Sequence, residues 1–250
     1  MSRPIPYGSG EPGPVRDTRP DEIGTPEEPE AMTTIPTLTH GRVTIRPLRV
    51  RDSRDLDLAL AGNRSWLRTW EATNPSGMAS SDVRGSIRAL QANARAGLGL
   101  PFAMELDGRF VGQLNVSGIT YGSLASASIG YWVVQDAAGH NVTPTAVALA
   151  ADHCFRVVGI HRLEICIRPE NAPSLRVVEK LGFRYEGLRR RYIHINGDWR
   201  DHFCFGLVAE EVQDGVLDRW VRGQVPLGTG HVPDEAWDEA SVPLPLSPRG

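Results

Sequence analysis

Two short stretches combine residue types suited to holding an anionic cofactor with a reactive end. Gly139-His-Asn-Val-Thr-Pro-Thr145 opens an apolar helical run, and Asn171-Ala-Pro-Ser174 opens another that ends at Leu181-Gly-Phe183. A glycine-containing turn at a helix N-terminus aims unpaired backbone N–H groups at whatever lies in front of it. The second stretch places small polar side chains at a neighbouring helix start. Together they point to a pyrophosphate-bearing cofactor whose reactive end reaches toward Ser174. The free N–H groups expected around the anion run from about Gly139 through His140 and Asn141 to Val142, together with Thr145 and Ala146. Thr143 suits the N-cap and Pro144 the first helical position. Gly139 permits close backbone approach, and Asn141 tolerates the left-handed conformation. Taken alone, the first stretch also reads as a capped helix after a surface turn, with His140 in solvent. It is neither a Walker loop nor a dinucleotide GxGxxG.

The surrounding pattern predicts the elements that would hold these stretches in place. Val43–Pro47 reads as a strand, Asp52 as the cap of a helix to about Ala61, and residues 63–70 and 81–96 as further helices. Phe102–Leu106 and Arg109–Ser117 flank Asp107-Gly108, a strong hairpin signal, and Ser126–Val134 continues the sheet. A helix follows over 143–158, on apolar helical spacing. Leu163, Ile165 and Ile167 alternate with polar neighbours as in a half-buried strand. Asn171–Leu181 is a helix with Gly182 as its left-handed stop. Arg184–Ile193 and Trp199–Leu207 pair across Asn196-Gly197, and residues 209–221 form a last helix. A strand meander leading into strand–helix–strand–helix–strand makes the class α/β with a mixed sheet, in one domain.

At 250 residues the chain can bury a substantial core. Residues 1–31 hold seven prolines, four glycines and seven acidic against three basic side chains. Such a segment buries too little to offset the entropy of ordering, so it is expected to be a disordered tail, with Met32 as the expected translation start. Residues 32–222 are the expected domain. Residues 223–250, again rich in Pro and Gly, are expected to extend loosely with Trp237 as the single anchor. With the acidic ends set aside, the middle carries a slight basic excess, which suits an anionic cofactor. Lys180 is the only lysine among 27 basic residues, a bias attributable to a GC-rich genome. Cys154, Cys166 and Cys204 are isolated in sequence and read as buried reduced thiols. His153, His161 and the other histidines suggest no metal site. No run approaches the roughly 18 apolar residues of a membrane span, and no signal-peptide core is present, so a cytoplasmic location is expected. No basic stripe interleaved with aromatics suggests nucleic-acid binding.

The run Ile129-Gly-Tyr-Trp-Val-Val with Ala138-Gly-His-Asn-Val-Thr resembles the Gcn5-related N-acetyltransferase (GNAT) superfamily. So does Arg168-Pro-Glu-Asn-Ala-Pro-Ser-Leu-Arg-Val-Val-Glu-Lys-Leu-Gly-Phe-Arg-Tyr-Glu-Gly. Within it the chain is similar to the Rim-type ribosomal-protein N-terminal acetyltransferases, as Arg46-Pro-Leu, Asn63-Arg-Ser-Trp-Leu-Arg-Thr-Trp and Ile195-Asn-Gly-Asp-Trp-Arg-Asp also suggest. The resemblance implies acetyl-CoA in a cleft between splayed parallel strands, one ending near Val134 and one running through Ile165. Backbone groups of Trp132, Val133 and Val134 would bind the pantetheine as an added strand would. Residues 139–143 would hold the pyrophosphate, Asn171 would hydrogen-bond the cofactor, and Ser174 would sit near the sulfur. Three positions depart from the family pattern. Asn141 replaces the second glycine. Asp136 replaces an Arg or Gln, so either it points into solvent or Gln135 takes that role. Val178 replaces a tyrosine acid, which leaves Ser174, directly or through water, to protonate a thiolate of ordinary pKa ~8.5.

The acceptor side is less marked. An α-amine of pKa ~8 is about one-tenth neutral at pH 7, and a lysine at ~10.4 about one part in two thousand, a difference of roughly 3 kcal/mol. An N-terminal amine therefore needs only a weak base. Glu71 is the candidate, although a solvated surface glutamate explains it equally, and Trp70 beside it is a candidate acceptor contact. Trp66 and Trp70, at (i, i+4), share a helix face that is more often core than substrate wall. Tyr192 and Asp201 are placed in the acceptor cleft, with sheet packing and ion pairing as rival explanations. The expected activity is direct acetyl transfer from acetyl-CoA, without a metal or covalent acyl-enzyme, to a protein N-terminal amine such as a ribosomal protein's, by a monomer or homodimer. The alternatives are a small-molecule acetyltransferase for an aminoglycoside, polyamine or amino acid, favoured by a narrow acidic pocket, and a non-catalytic acyl-CoA-binding module.

Overall fold

Three tight turns organise the sheet. The structure, a computed structural model, describes residues 35–76 and 82–244; the 1–31 segment, Met32 and the last six residues lie outside the described residues. β1 (Leu38–His40) turns through Gly41 into β2 (Val43–Pro47). β3 (Gly99–Leu106) and β4 (Arg109–Thr120) join at Asp107-Gly108, with φ of 51° and 78°. β7 (Arg184–Ile195) and β8 (Asp198–Val208) join at Asn196-Gly197, with φ of 50° and 87°. Two successive positive φ values are what a two-residue hairpin turn requires, and Asp-Gly and Asn-Gly adopt them at least cost. With β5 (Ser126–Val133) and β6 (Arg162–Ile167), the strand order is β1-β2-β3-β4-β5-β6-β8-β7. Every pairing is antiparallel except β5–β6.

Helices cover both faces, which is why β3 is buried along most of its length. α1 (Ser53–Gly62), α2 (Arg64–Leu67) and α3 (Val83–Arg95) lie on one face around Leu48, Leu56, Ile87 and Ala103. α4 (Val142–His153) and α5 (Ala172–Leu181) lie on the other, over the larger core that includes Phe102, Met104, Phe203 and Phe205. Each fully buried phenylalanine there contributes about 1.5–3 kcal/mol. α4 is apolar nearly all round, and its Ala-rich sequence lets it sit close against the strands.

Four expectations are corrected. α4 begins at Val142 behind a left-handed Asn141, so Thr143 is not the cap: it is buried in the first turn, and Pro144 is the third helical residue. Trp70 lies beyond α2, which ends at Leu67, so it does not share a helix face with Trp66. The helix expected over 209–221 is broken. Residues 209–212 make a 3₁₀ turn, and α6 (Val216–Val221) starts after Gly215, where the Asp152 carboxylate accepts N–H bonds from Val216 (2.6 Å) and Leu217 (3.2 Å). Finally, residues 223–244 do not merely trail. Val232 and Ala236 are buried, α7 (Asp234–Ser241) is formed, and Trp237 does anchor it edge-on to Phe203 at 4.9 Å.

The feature that makes a site is the short β5–β6 pairing. It covers only Ser126↔Arg162, Ala127↔Leu163 and Ser128↔Glu164. Beyond it β5 stays with β4 and β6 stays with β8, so the two parallel strands part at their C-terminal ends.

Candidate active site

Strand parity decides which backbone groups face the gap. Val134 N–H donates to Val111 O (2.8 Å), so even-numbered residues at this end of β5 turn their amides toward β4. Ala125 O accepts from Arg162 N–H (3.1 Å), so odd-numbered residues turn toward β6. Where β6 has diverged, Tyr131 and Val133 present their main-chain groups to the open cleft. Val133 O takes the Trp66 indole N–H at 3.1 Å. The three-residue expectation is therefore corrected: Trp132 and Val134 spend their amides on β4, and Tyr131 joins Val133 instead. Trp132 contributes its ring, edge-on to Phe110 at 6.2 Å. An extended ligand bearing amides would lie in this gap as one more strand.

The cleft continues as a cavity of about 670 Å³ toward the start of α4. Gly139 (φ 82°) and Asn141 (φ 58°) curl the backbone so that the first-turn N–H groups of Val142 and Thr143, which have no helical acceptor, face it. Thr145 N–H returns to Asn141 O, so it and Ala146 are not free donors in front of the turn. Across the cavity, Arg176 and Lys180 stand one turn apart on α5, and Lys180 Nζ donates to Asn141 Oδ1 at 2.7 Å. The single lysine of the chain thus faces the anion turn. Asp136 is 65% exposed and ion-paired with Arg109 at 3.1 Å, out of the cavity. His140 is exposed and does not line it.

Asn171 and Ser174 come together at the head of α5, where Asn171 Oδ1 accepts from Ser174 N–H at 3.2 Å. That bond caps the helix and leaves the Asn171 amide nitrogen free for a ligand. Val178 is fully buried and takes no part. The residue that sequence reasoning missed here is Tyr131. Its hydroxyl is buried beside the Ser174 hydroxyl without a well-formed hydrogen bond to it; burial pushes its pKa up, and the nearby Ser174 hydroxyl partly opposes that rise.

A second cavity, of about 290 Å³, opens on the other side of this point. Leu67, Trp70, Tyr131, Trp132, Asn171 and Ser174 line both, so the two meet at Tyr131 and Ser174. Its further walls include Glu71, Gln113, Asn115, Gly130, Cys166 and His202. A Cβ on Gly130 would meet nothing within 4 Å, so the glycine holds space open. Gln113 Nε2 donates to Asn115 Oδ1 at 2.9 Å. Glu71 pairs with Arg64 at 3.0 Å, and its side chain is 42% exposed. Its loop is held by Arg168, which lies 5.5 Å from the Trp70 ring and donates to Thr69 O at 2.7 Å. Thr73 N–H donates to His194 O on β7 (2.8 Å), which closes that wall.

Tyr192 and Asp201 do not line this cavity. Tyr192 packs under Arg189 (4.9 Å), and Asp201 pairs with Arg190 (2.8 Å) and accepts from Arg191 N–H (2.6 Å). The cysteines are not all isolated: Cys166 and Cys204, partners across β6 and β8, bring their sulfurs to 3.1 Å as free thiols. His202 is 3% exposed, and burial lowers its pKa. The period-2 pattern of β8 was the available signal for it, because Phe203 and Phe205 mark one face and leave His202 and Cys204 on the other. Among the described residues no group of three or more His, Cys, Asp or Glu could hold a metal, and no helix is long and apolar enough to cross a membrane.

Comparison with known proteins gives this arrangement its family. The acetyltransferase (GNAT) domain matches residues 42–184. The chain belongs to the GNAT acetyltransferases. The structure of Mycobacterium smegmatis RimJ in complex with CoA-disulfide superposes with a TM-score of 0.67 at 39% identity, covering 73% of this chain and 89% of that one. The [ribosomal protein uS5]-alanine N-acetyltransferase of Escherichia coli is 29% identical over 187 residues, 71% of this chain and 93% of that protein. YjcK of Bacillus subtilis, a probable N-acetyltransferase, is 38% identical over 96 residues, which is 38% of this chain and about half (53%) of that protein. This GNAT enzyme is an acetyl-CoA-dependent N-acyltransferase, and the cleft fits that cosubstrate. It offers strand-edge amides, first-turn N–H donors faced by two cations, and an orphaned hydroxyl where the two cavities meet.

Proposed function

We propose that the enzyme acetylates the α-amine at a protein N-terminus, with a ribosomal protein as the acceptor. Acetyl-CoA supplies the acetyl group as a thioester. The residues do the rest. Tyr131 and Val133 hold the pantetheine arm by their main-chain groups, with Asn171 Nδ2 beside it. Gly139, Asn141, Val142 and Thr143 cradle the diphosphate, and Arg176 and Lys180 balance its charge. Ser174, with the Tyr131 hydroxyl beside it, supplies the proton that the departing sulfur needs. Trp70 and Glu71 border the amine's entry.

The observation that carries this reading is the charge of the acceptor cavity. Among the described residues Glu71 is its one carboxylate and Arg168 its one guanidinium, and the amides of Gln113 and Asn115 also line it. A polyamine or aminoglycoside carries several cations, and this wall offers no acidic surface to receive them. One ammonium followed by peptide amides fits better. The α-amine is also the easier nucleophile by roughly 3 kcal/mol of deprotonation relative to lysine. The E. coli relative named for alanine of uS5 supports the same acceptor class. The test is competition by mass spectrometry among a peptide with a free N-terminal alanine, its N-blocked counterpart carrying lysine, and spermidine. Acetylation confined to the free N-terminus supports the proposal; equal or faster modification of lysine or spermidine overturns it.

A further inference from the structure

We propose that His202 is the proton acceptor for the attacking amine, and that Glu71 guides the ammonium rather than deprotonating it. This rests on the acceptor cavity being the amine's port, not on which amine enters. His202 lines that cavity together with Ser174 and Tyr131. Its Nδ1 lies 3.0 Å from Arg200 O. A carbonyl can only accept, so Nδ1 carries the proton and Nε2 keeps its lone pair. Nε2 is therefore the ring nitrogen free to take a proton from a ligand. Glu71 stands differently, half in solvent and spent on Arg64.

Protonation state follows from the surroundings. Burial lowers the imidazole pKa and the Nδ1–H bond to Arg200 O raises it in part; Arg168, which lines the same cavity, adds to the lowering, and Glu170 and Asp201 act in the opposite sense. The Tyr192 ring packs edge-on at 5.9 Å from β7 and brings no charge. The lowered pKa favours the neutral imidazole, the form that can take a proton. In the step assigned to it, the amine nitrogen forms a bond to the acetyl carbon as the carbon–sulfur bond breaks. The sulfur leaves with the electron pair and takes a proton from the Ser174 side. The neutral amine's proton passes to His202 Nε2 and then to solvent, solvent returns a proton to Ser174, and one amine and one thioester give one amide and one thiol.

The experiment compares wild type, His202→Gln and Glu71→Gln over pH 5–9, with acetyl-CoA and either the alanine peptide or spermidine, whichever wild type acetylates faster. Using the better acceptor separates a wrong base from a wrong substrate class. General-base catalysis contributes typically 10²–10⁴-fold, and an α-amine needs only a weak base. His202→Gln should therefore lose about 30- to 300-fold in kcat near pH 7, with KM for acetyl-CoA unchanged. The deficit should shrink toward pH 9, where the amine deprotonates unaided. Glu71→Gln should raise the acceptor KM with kcat within about threefold. NMR of ¹⁵N-histidine-labelled wild type should show the Nδ1–H tautomer, and the His202 titration should coincide with the acid limb of kcat/KM calculated on the concentration of neutral amine, which removes the acceptor's own pKa of ~8. That measurement decides the matter even if His202→Gln fails to fold. A pH-independent deficit in His202→Gln, an acid limb displaced from the His202 titration, or loss of that limb in Glu71→Gln overturns the proposal.

Discussion

The two cavities that meet at Tyr131 and Ser174 are assembled in opposite ways. The cofactor side draws on β5 and the heads of two helices, and its work is done largely by main-chain groups whose direction the fold fixes. The acceptor side takes single side chains from the loop after α2, from β4, β5, β6 and β8, and from the head of α5. Asn141 holds the left-handed conformation that a glycine would take most easily, so the turn keeps its backbone geometry with a side chain present. The acceptor wall can be rebuilt one residue at a time.

The sharpest way to break this division is at the seam. Ser174→Ala should lower kcat by about ten- to a thousandfold, within the range for a lost proton donor, while calorimetry finds CoA affinity nearly intact. Unchanged turnover would remove Ser174 from the chemistry. On the acceptor side, Gly130→Val should lower kcat/KM for a peptide about a hundredfold by filling the space the glycine leaves, again with CoA binding preserved. If CoA binding fell equally, the two cavities would not be separable. On the cofactor side, Lys180→Ala should weaken CoA about three- to tenfold, as expected for one partly exposed charge-assisted contact worth about 1 kcal/mol, and the gap should narrow as salt rises. A change in peptide KM instead would misplace the lysine.

The smallest effect is on stability. Burial lowers the pKa of both His202 and His153 in the fold. The unfolded chain therefore binds more protons just below the ordinary histidine value of ~6.5, and stability must fall as pH drops through that range. Thermal melts between pH 7 and 5 should show a loss that is smaller in His153→Gln. A flat profile would contradict the buried neutral state.

This contrast also explains what could be read before the fold was known. Asp107-Gly108 and Asn196-Gly197 are local signals and marked both hairpins. Asn171-x-x-Ser with Leu-Gly-Phe marked α5 and its cap, because the Oδ1-to-N–H bond closes within three residues. Thr143 was misassigned as a cap because Asn141, two residues earlier, takes the left-handed turn itself. The break at Gly215 depends on Asp152, far back in the chain, which no local window contains. Tyr131 was visible as a letter, but its orphaned hydroxyl exists only once α5 lies over β5. His202, Gln113 and Gly130 converge from three strands, and only strand register brings them together.

The central claim is that cosubstrate and acceptor enter from opposite sides and react between Tyr131 and Ser174. A crystal structure with a bisubstrate conjugate, an alanine peptide joined through its N-terminus to coenzyme A, tests it most directly. The account predicts the diphosphate against residues 139–143, the pantetheine along Tyr131 and Val133, and the peptide leaving past Gly130 and His202. A peptide that leaves by any other path, or a diphosphate away from the start of α4, would contradict it.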